Sequence, residues 1–158
     1  MKRIFAGLAF LLFSLSCAAA ELAIVLRDGT PMRSAASSGA RPHTLLEQGE
    51  TVEVRGERLD YLQVYDYRHE RGGYVRASQV RRLALSAQEA PELLAVVRFL
   101  VASPGSEPLG IAFAAAYIEA APAEALNGPA GVEVLDAYGT LAERLARSSR
   151  RDLDVVTQ

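Results

Sequence analysis

Residues 51–75 read TVEVRGERLDYLQVYDYRHERGGYV, and they decide how the first half of the chain is read. Val52 and Val54 alternate with Glu53 and Arg55, the two-residue period of a strand with one buried face. Leu59–Tyr67 repeats the pattern, with Leu62 and Val64 on one face and Tyr61, Tyr65 and Tyr67 on the other. Gly72-Gly73 is expected to close a charged hairpin, and Tyr74-Val75 to open the last strand. Upstream, Glu21–Arg27 is apolar and partly β-branched, and Asp28-Gly29-Thr30-Pro31 punctuates it. Ser34–Pro42 reads as an irregular loop, and Gly49 marks a tight turn between Thr44–Leu46 and Thr51–Arg55. Five or six short strands over residues 21–83 predict a small barrel.

Beyond Ser86 the apolar period becomes helical. Ser86 and Glu89 have capping-box spacing, and Leu93, Leu94, Val97, Leu100 and Val101 form one stripe. A second helix is expected after Ser106, with Pro108 in its first turn and Ile111, Ala115 and Ile118 in its buried stripe. Gly110, Ala114 and Ala116 permit close helix contact, equally within this chain or against another chain's helix. A third helix, about Val132–Arg150, is expected to bury Val134, Leu135, Tyr138, Leu141 and Leu145. None of the three is long or uncharged enough to span a membrane.

The first twenty residues have the order of a secretory signal. Lys2 and Arg3 precede an apolar run from Ile4 to Phe13, and Ala18-Ala19-Ala20 supplies a small-residue cleavage site. Cleavage after Ala20 would leave a periplasmic or secreted chain without cysteine, which excludes disulfides, Cys nucleophiles and Cys-ligated zinc. The alternative is a lipoprotein anchored through Cys17, although Ser14-Leu15-Ser16 matches a lipobox only in part. Three segments follow: a leader over 1–20, a strand region over 21–83 and a helical region over 84–158. Ten Arg face nine acids in the second segment, five Arg face ten acids in the third, and both charge and period change near Leu83–Ser86. Asp152–Gln158 carries no clear cap, as expected of a piece of a longer protein. Across all 158 residues, 17 Lys+Arg face 19 Asp+Glu, and half the chain is hydrophobic. That composition excludes a wholly disordered chain and gives no basis for nucleic-acid binding.

The order Pro31-Met32-Arg33-Ser34, Leu46 to Gly49, Thr51-Val52-Glu53-Val54, Tyr61-Leu62-Gln63-Val64 and Gly73-Tyr74-Val75 resembles a bacterial SH3 (SH3b) domain. In that family a "VRS" segment precedes a loop, a "G-x-x-V-x-V" strand follows, and "W-x-x-V" and "G-W-V" complete the barrel. Both Trp positions are Tyr here, Tyr61 and Tyr74. The resemblance covers residues 21–83 and implies cell-wall association, often recognition of peptidoglycan peptides. The fold class expected is therefore β and α in separate regions: a small SH3-like β-barrel followed by a three-helix all-α region. No family resemblance accompanies residues 84–158.

No catalytic signature is legible. The only histidines are His43, in an expected loop, and His69, in the polar tip Asp66-Tyr67-Arg68-His69-Glu70-Arg71. Asp66, His69 and Glu70 lack diagnostic metal spacing, and no G-x-S-x-G elbow or phosphate loop is present. The expectation is a non-catalytic binding protein with no cofactor and no metal. Its candidate contacts are Tyr61, Tyr65, Tyr67 and Tyr74, with Arg76 as an anion partner, because rigid amphipathic rings suit peptide or glycan recognition. Two alternatives stay open for that face: it packs beneath the helices, or it is plain exposed sheet. The competing function is an envelope adaptor or assembly factor that binds another protein through the helical region.

Overall fold

The alternating segments form seven strands. They are β1 (Glu21–Val25), β2 (Thr30–Arg33), β3 (Pro42–Leu46), β4 (Thr51–Arg58), β5 (Tyr61–Asp66), β6 (Arg71–Arg76) and β7 (Val80–Leu83). The computed structural model describes residues 21–156, with side chains through Arg150. The leader, with Cys17 and the expected cleavage after Ala20, lies outside the described residues. The strands pair antiparallel in one sheet, ordered β3-β2-β6-β5-β4-β1-β7. Seven strands replace the expected five or six: the strand holding Tyr74 and Val75 is not the last, because Val80–Leu83 also finds a ladder partner, and β1 lies between β4 and β7.

The change from strand to helix falls between Leu83 and Ala90, and four helices follow. These are α1 (Ala90–Val101), α2 (Glu107–Ala120), the single turn α3 (Ala123–Leu126) and α4 (Pro129–Val156). The three expected helices are present, α3 is additional, and α4 is longer at both ends than Val132–Arg150. No helix among the described residues is long and apolar enough to cross a membrane.

One face of the sheet closes over Ala23, Val25, Met32, Leu46, Val52, Leu62, Val64, Val75 and Val80. The opposite face of β1 carries Leu22 and Ile24, with Leu26 just past its end. These join Leu83 and Leu85 in a second core with Leu93, Val97, Leu100, Phe113, Tyr117 and Val134 of the helices. Alternation makes both memberships possible, since neighbouring strand residues point to opposite sides. Each fully buried aliphatic side chain contributes about 1.5–3 kcal/mol. The two regions therefore share a strand instead of meeting only at a linker.

Several local expectations change. Gly72 and Gly73 lie within β6 rather than in the hairpin turn. A Cβ on Gly73 would stand 2.5 Å from Met32 Cγ, so the missing side chain makes room for β2. The left-handed residue of that turn is Glu70. The Ser86–Glu89 box does not form. Instead the Glu89 carboxylate accepts the backbone N–H groups of Ala84 at 2.8 Å and Leu85 at 3.0 Å. Ser106 precedes α2 without capping it, its hydroxyl placed against the carbonyls of Leu100 and Ser103.

Gly110, Ala114 and Ala116 are buried inside this chain, which decides between their two readings. A Cβ on Gly110 would lie 2.7 Å from Leu141 Cδ1, so glycine sets how closely α2 and α4 approach. Because that small surface turns inward, Ala115 is exposed and Ile111 and Ile118 are only half-buried. On α4 the buried positions are Gly131, Val134, Ala137 and Leu141, and Leu145, expected inside, is half-buried. Leu135 and Tyr138, expected inside, are exposed at 61% and 40%. Leu135 follows Val134 by a single residue, a step of ~100° around the helix, which turns it away from that face.

Candidate functional site

The hairpin β4–β5 and its neighbour β6 position the tyrosines. Across these strands Tyr65 is opposite Glu53 and Gly72, Tyr74 is opposite Gln63, and Tyr61 is opposite Arg76. A bulge between Val54 and Gly56 inserts Arg55 into β4 beside this face. Its guanidinium lies over the Tyr65 ring, 3.9 Å from the centroid. Tyr67 meets Tyr65 edge-on at 4.9 Å between centroids. The Tyr67 hydroxyl donates to Glu53 Oε2 at 2.6 Å, and Arg55 donates to the same oxygen from Nη2 at 3.1 Å. These two donors hold the Glu53 carboxyl below its ordinary value, the Tyr67 hydrogen bond contributing most.

A second group lies at the other end of the face. Arg76 donates to the Tyr61 hydroxyl at 3.2 Å, stands 5.3 Å from the Tyr61 ring centroid, and pairs with Asp60 at 3.3 Å. The hydrogen bond to the Tyr61 hydroxyl, together with the nearby Asp60 carboxylate, raises the Arg76 pKa.

The five expected contact residues thus divide. Tyr67 is 65% exposed, Tyr65 and Tyr74 are half-buried, and Arg76 is exposed. Tyr61, expected as a contact, is only 3% exposed, and its hydroxyl accepts a hydrogen bond from Arg76. The helices cover the β1 and β7 side, with Leu22, Ile24, Leu83 and Leu85 in their core, and none of these tyrosines belongs to that cluster. The face presents aromatic surface with a guanidinium at each end, Arg55 paired with Glu53 and Arg76 with Asp60.

Arg55 and Glu53 were missed in the sequence, although alternation from Val52 and Val54 puts both on the tyrosine side. The signal lacked the hairpin register, which the bulge at Arg55 shifts by one residue.

A cleft of about 680 Å³ opens between the sheet and the helices, lined by Asp28, Glu47, Glu50 and Arg68 on one wall and Pro108, Ile111 and Leu145 on the other. Its carboxylates are answered within the chain. Asp28 accepts the Gln48 N–H at 2.8 Å, and Arg68 reaches Glu50 at 2.5 Å and Glu47 at 3.4 Å. Buried Asp66 accepts the Arg68 N–H at 2.9 Å and pairs with His69 Nδ1. Gly49, at φ +84°, closes the seam: a Cβ there would stand 2.4 Å from the Pro108 carbonyl oxygen.

Among the described residues, no three His, Cys, Asp or Glu side chains gather as a metal site. His43 lies in β3 rather than in a loop, with its buried Nε2 lacking a hydrogen-bond partner. No protein-family model matches the chain, and no curated protein matches it.

Proposed function

We propose that this is an exported, non-catalytic binding protein that recognises peptidoglycan peptides through an SH3b-like barrel formed by residues 21–83. The observation that carries the reading is the aromatic and guanidinium strip of Tyr65, Tyr67, Tyr74, Arg55 and Arg76, set away from the sheet side occupied by the helices. Wall peptides offer carboxylates and short aliphatic side chains, which match guanidinium donors flanked by ring faces. In this reading the protein is periplasmic, consistent with the leader-like residues 1–20, and the helices brace the sheet. An envelope adaptor that captures another protein through the helices is the competing reading, favoured by the exposed apolar residues of α4.

The test is co-sedimentation of Glu21–Gln158 with isolated sacculi across a salt series. Saturable binding that persists at moderate salt, and that drops at least ~10-fold in a Tyr65→Ala, Tyr74→Ala double variant, is the expected result. Binding that vanishes as salt screens the charges would reduce the interaction to unspecific Arg attraction. No binding at all would leave wall recognition without support.

A further inference from the structure

Two guanidinium groups of the tyrosine strip already have acid partners: Arg55 pairs with Glu53 at 3.1 Å and Arg76 with Asp60 at 3.3 Å. A further guanidinium belongs to Arg33 of β2. Arg33 is opposite Tyr74 of β6, and Tyr74 is opposite Gln63 of β5, so one row across three strands reads Arg33, Tyr74, Gln63. Residues directly opposite one another share a face of the sheet, which puts Arg33 on the tyrosine side. Its Nη1 donates to the Ala40 carbonyl at 2.7 Å. That contact holds the group at the β3 margin, uses one donor of its fork and leaves its charge uncancelled.

The surroundings of Arg33 supply no counter-charge. From Gly29 to Leu46 the chain has no Asp or Glu, while it carries Arg33 and Arg41. Arg71 reaches the same edge, donating to the His43 carbonyl at 3.2 Å. The bordering acids Asp28, Glu47 and Glu70 form no ion pair with any of these three; Asp28 accepts the Gln48 N–H, and Glu47 meets Arg68. This end of the strip is therefore positive, whereas pairing offsets the charge of Arg55 and Arg76.

Beside that charge the strip has a gap. Gly72 is exposed, lies opposite Tyr65 and precedes Tyr74 by two residues, so it separates the two rings on one face. A Cβ there would meet only the Val64 carbonyl oxygen at 3.5 Å and Tyr65 Cδ2 at 3.6 Å, both ordinary contacts. The backbone between the rings is open to a ligand. One guanidinium answers one negative charge, and its fork matches a planar carboxylate, whereas a phosphate dianion would be only half answered. Ring faces and the exposed Gln63 amide suit the peptide planes that precede such a carboxylate.

We propose that Arg33 is the carboxylate-binding residue of the strip. Its ligand is a peptide whose free C-terminal carboxylate meets Arg33 while its last residues lie over Gly72, between Tyr65 and Tyr74. The inference rests on the tyrosine strip being the binding surface, and it adds what that surface selects.

The test is an NMR titration of isotope-labelled Glu21–Gln158 with acetyl-alanyl-alanine and with the same dipeptide amidated at its C-terminus. The acid should shift the Gly72 and Tyr74 amides saturably and bind about 10-fold more tightly than the amide, the worth of one charge-assisted contact. Arg33→Gln should bind both forms equally, at the affinity of the amide. Gly72→Val should weaken both forms and leave the thermal melt unchanged, since a Cβ at that position makes only ordinary contacts. The proposal is overturned by no saturable shift, by equal binding of acid and amide to the parent, or by an acid preference that survives in Arg33→Gln. Inorganic phosphate that competes as well as the acid overturns it too. Co-sedimentation with sacculi, run in parallel, separates this proposal from wall recognition. Sacculi bound equally by the parent and Arg33→Gln keep wall recognition and remove Arg33, whereas acid preference without sacculus binding keeps Arg33 and removes the wall.

Discussion

The two cores differ in what each needs from the other. The sheet core is built wholly from strand residues and the short turn after β6, with Met32, Leu46 and Leu62 as its bulk. The helical core borrows Ile24 and Leu83 outright, with Leu22, Leu26 and Leu85 packed at its margin. Removing the helices would leave an apolar side of β1 in water. Removing β1 would open both cores at once. A charge shift and a change of period mark two regions in the sequence, yet one strand commits them to a common stability.

The sharpest way to break the comparison is to truncate one large residue in each core. Ile24→Ala and Met32→Ala should each cost about 2–5 kcal/mol, the range for buried aliphatic truncation. Because β1 is shared, native-state hydrogen exchange should show strand and helix amides losing protection together in both variants. Helices that keep their protection in Met32→Ala would show the cores to be separable.

The seam between the regions gives a smaller effect. Gly49→Ala forces an L side chain into positive φ and against the Pro108 carbonyl, whereas Gly29→Ala, at φ +68° with nothing within 4 Å, meets the conformational cost alone. Positive-φ strain is about 1–3 kcal/mol. Urea midpoints should fall in both variants and fall further in Gly49→Ala. Equal shifts would mean the seam yields to an added methyl.

The smallest effect concerns charge on the sheet. Glu53, with Tyr67 and Arg55, and Glu21, with Arg82, are carboxyls held below their usual value near 4.5. A depressed folded pKa gives stability that is fully present above the unfolded value and is lost as pH falls through the folded one. Denaturation midpoints should therefore decline below about pH 4.5, and Glu53→Gln should show a shallower decline. Parallel profiles would separate Glu53 from the acid response.

The strands around Val52–Val54 and Leu62–Val64 were legible because alternation is a local signal. So was the change to helix after Leu83, because the period itself changes. The docking of helices on β1 was less visible, although Leu22–Leu26 is an unbroken apolar run, the mark of a strand buried on both sides. Residue type alone could not place Tyr61 inside and Tyr67 outside; that depends on the ends of β5 and the pairing with Arg76. On α4 the buried face was misjudged by one position, since Leu135 and Tyr138 are as apolar as the residues that do pack. The choice between them is made by Gly110, whose missing side chain admits Leu141.

Shared strand β1 also imposes an order of events. Leu22 pairs with Leu83, and the side chains of Glu21 and Arg82 meet across 61 positions of chain. The first strand of the sheet must wait for the last, β7, before its ladder is complete. Closing so long a loop is slow, and contacts of this separation lower folding rates. Until β7 arrives, the outer side of β1 has no platform to offer the helices. A nascent chain stopped before Val80 would carry Ile24 uncovered, which makes β1 the segment where a chaperone would find its hold.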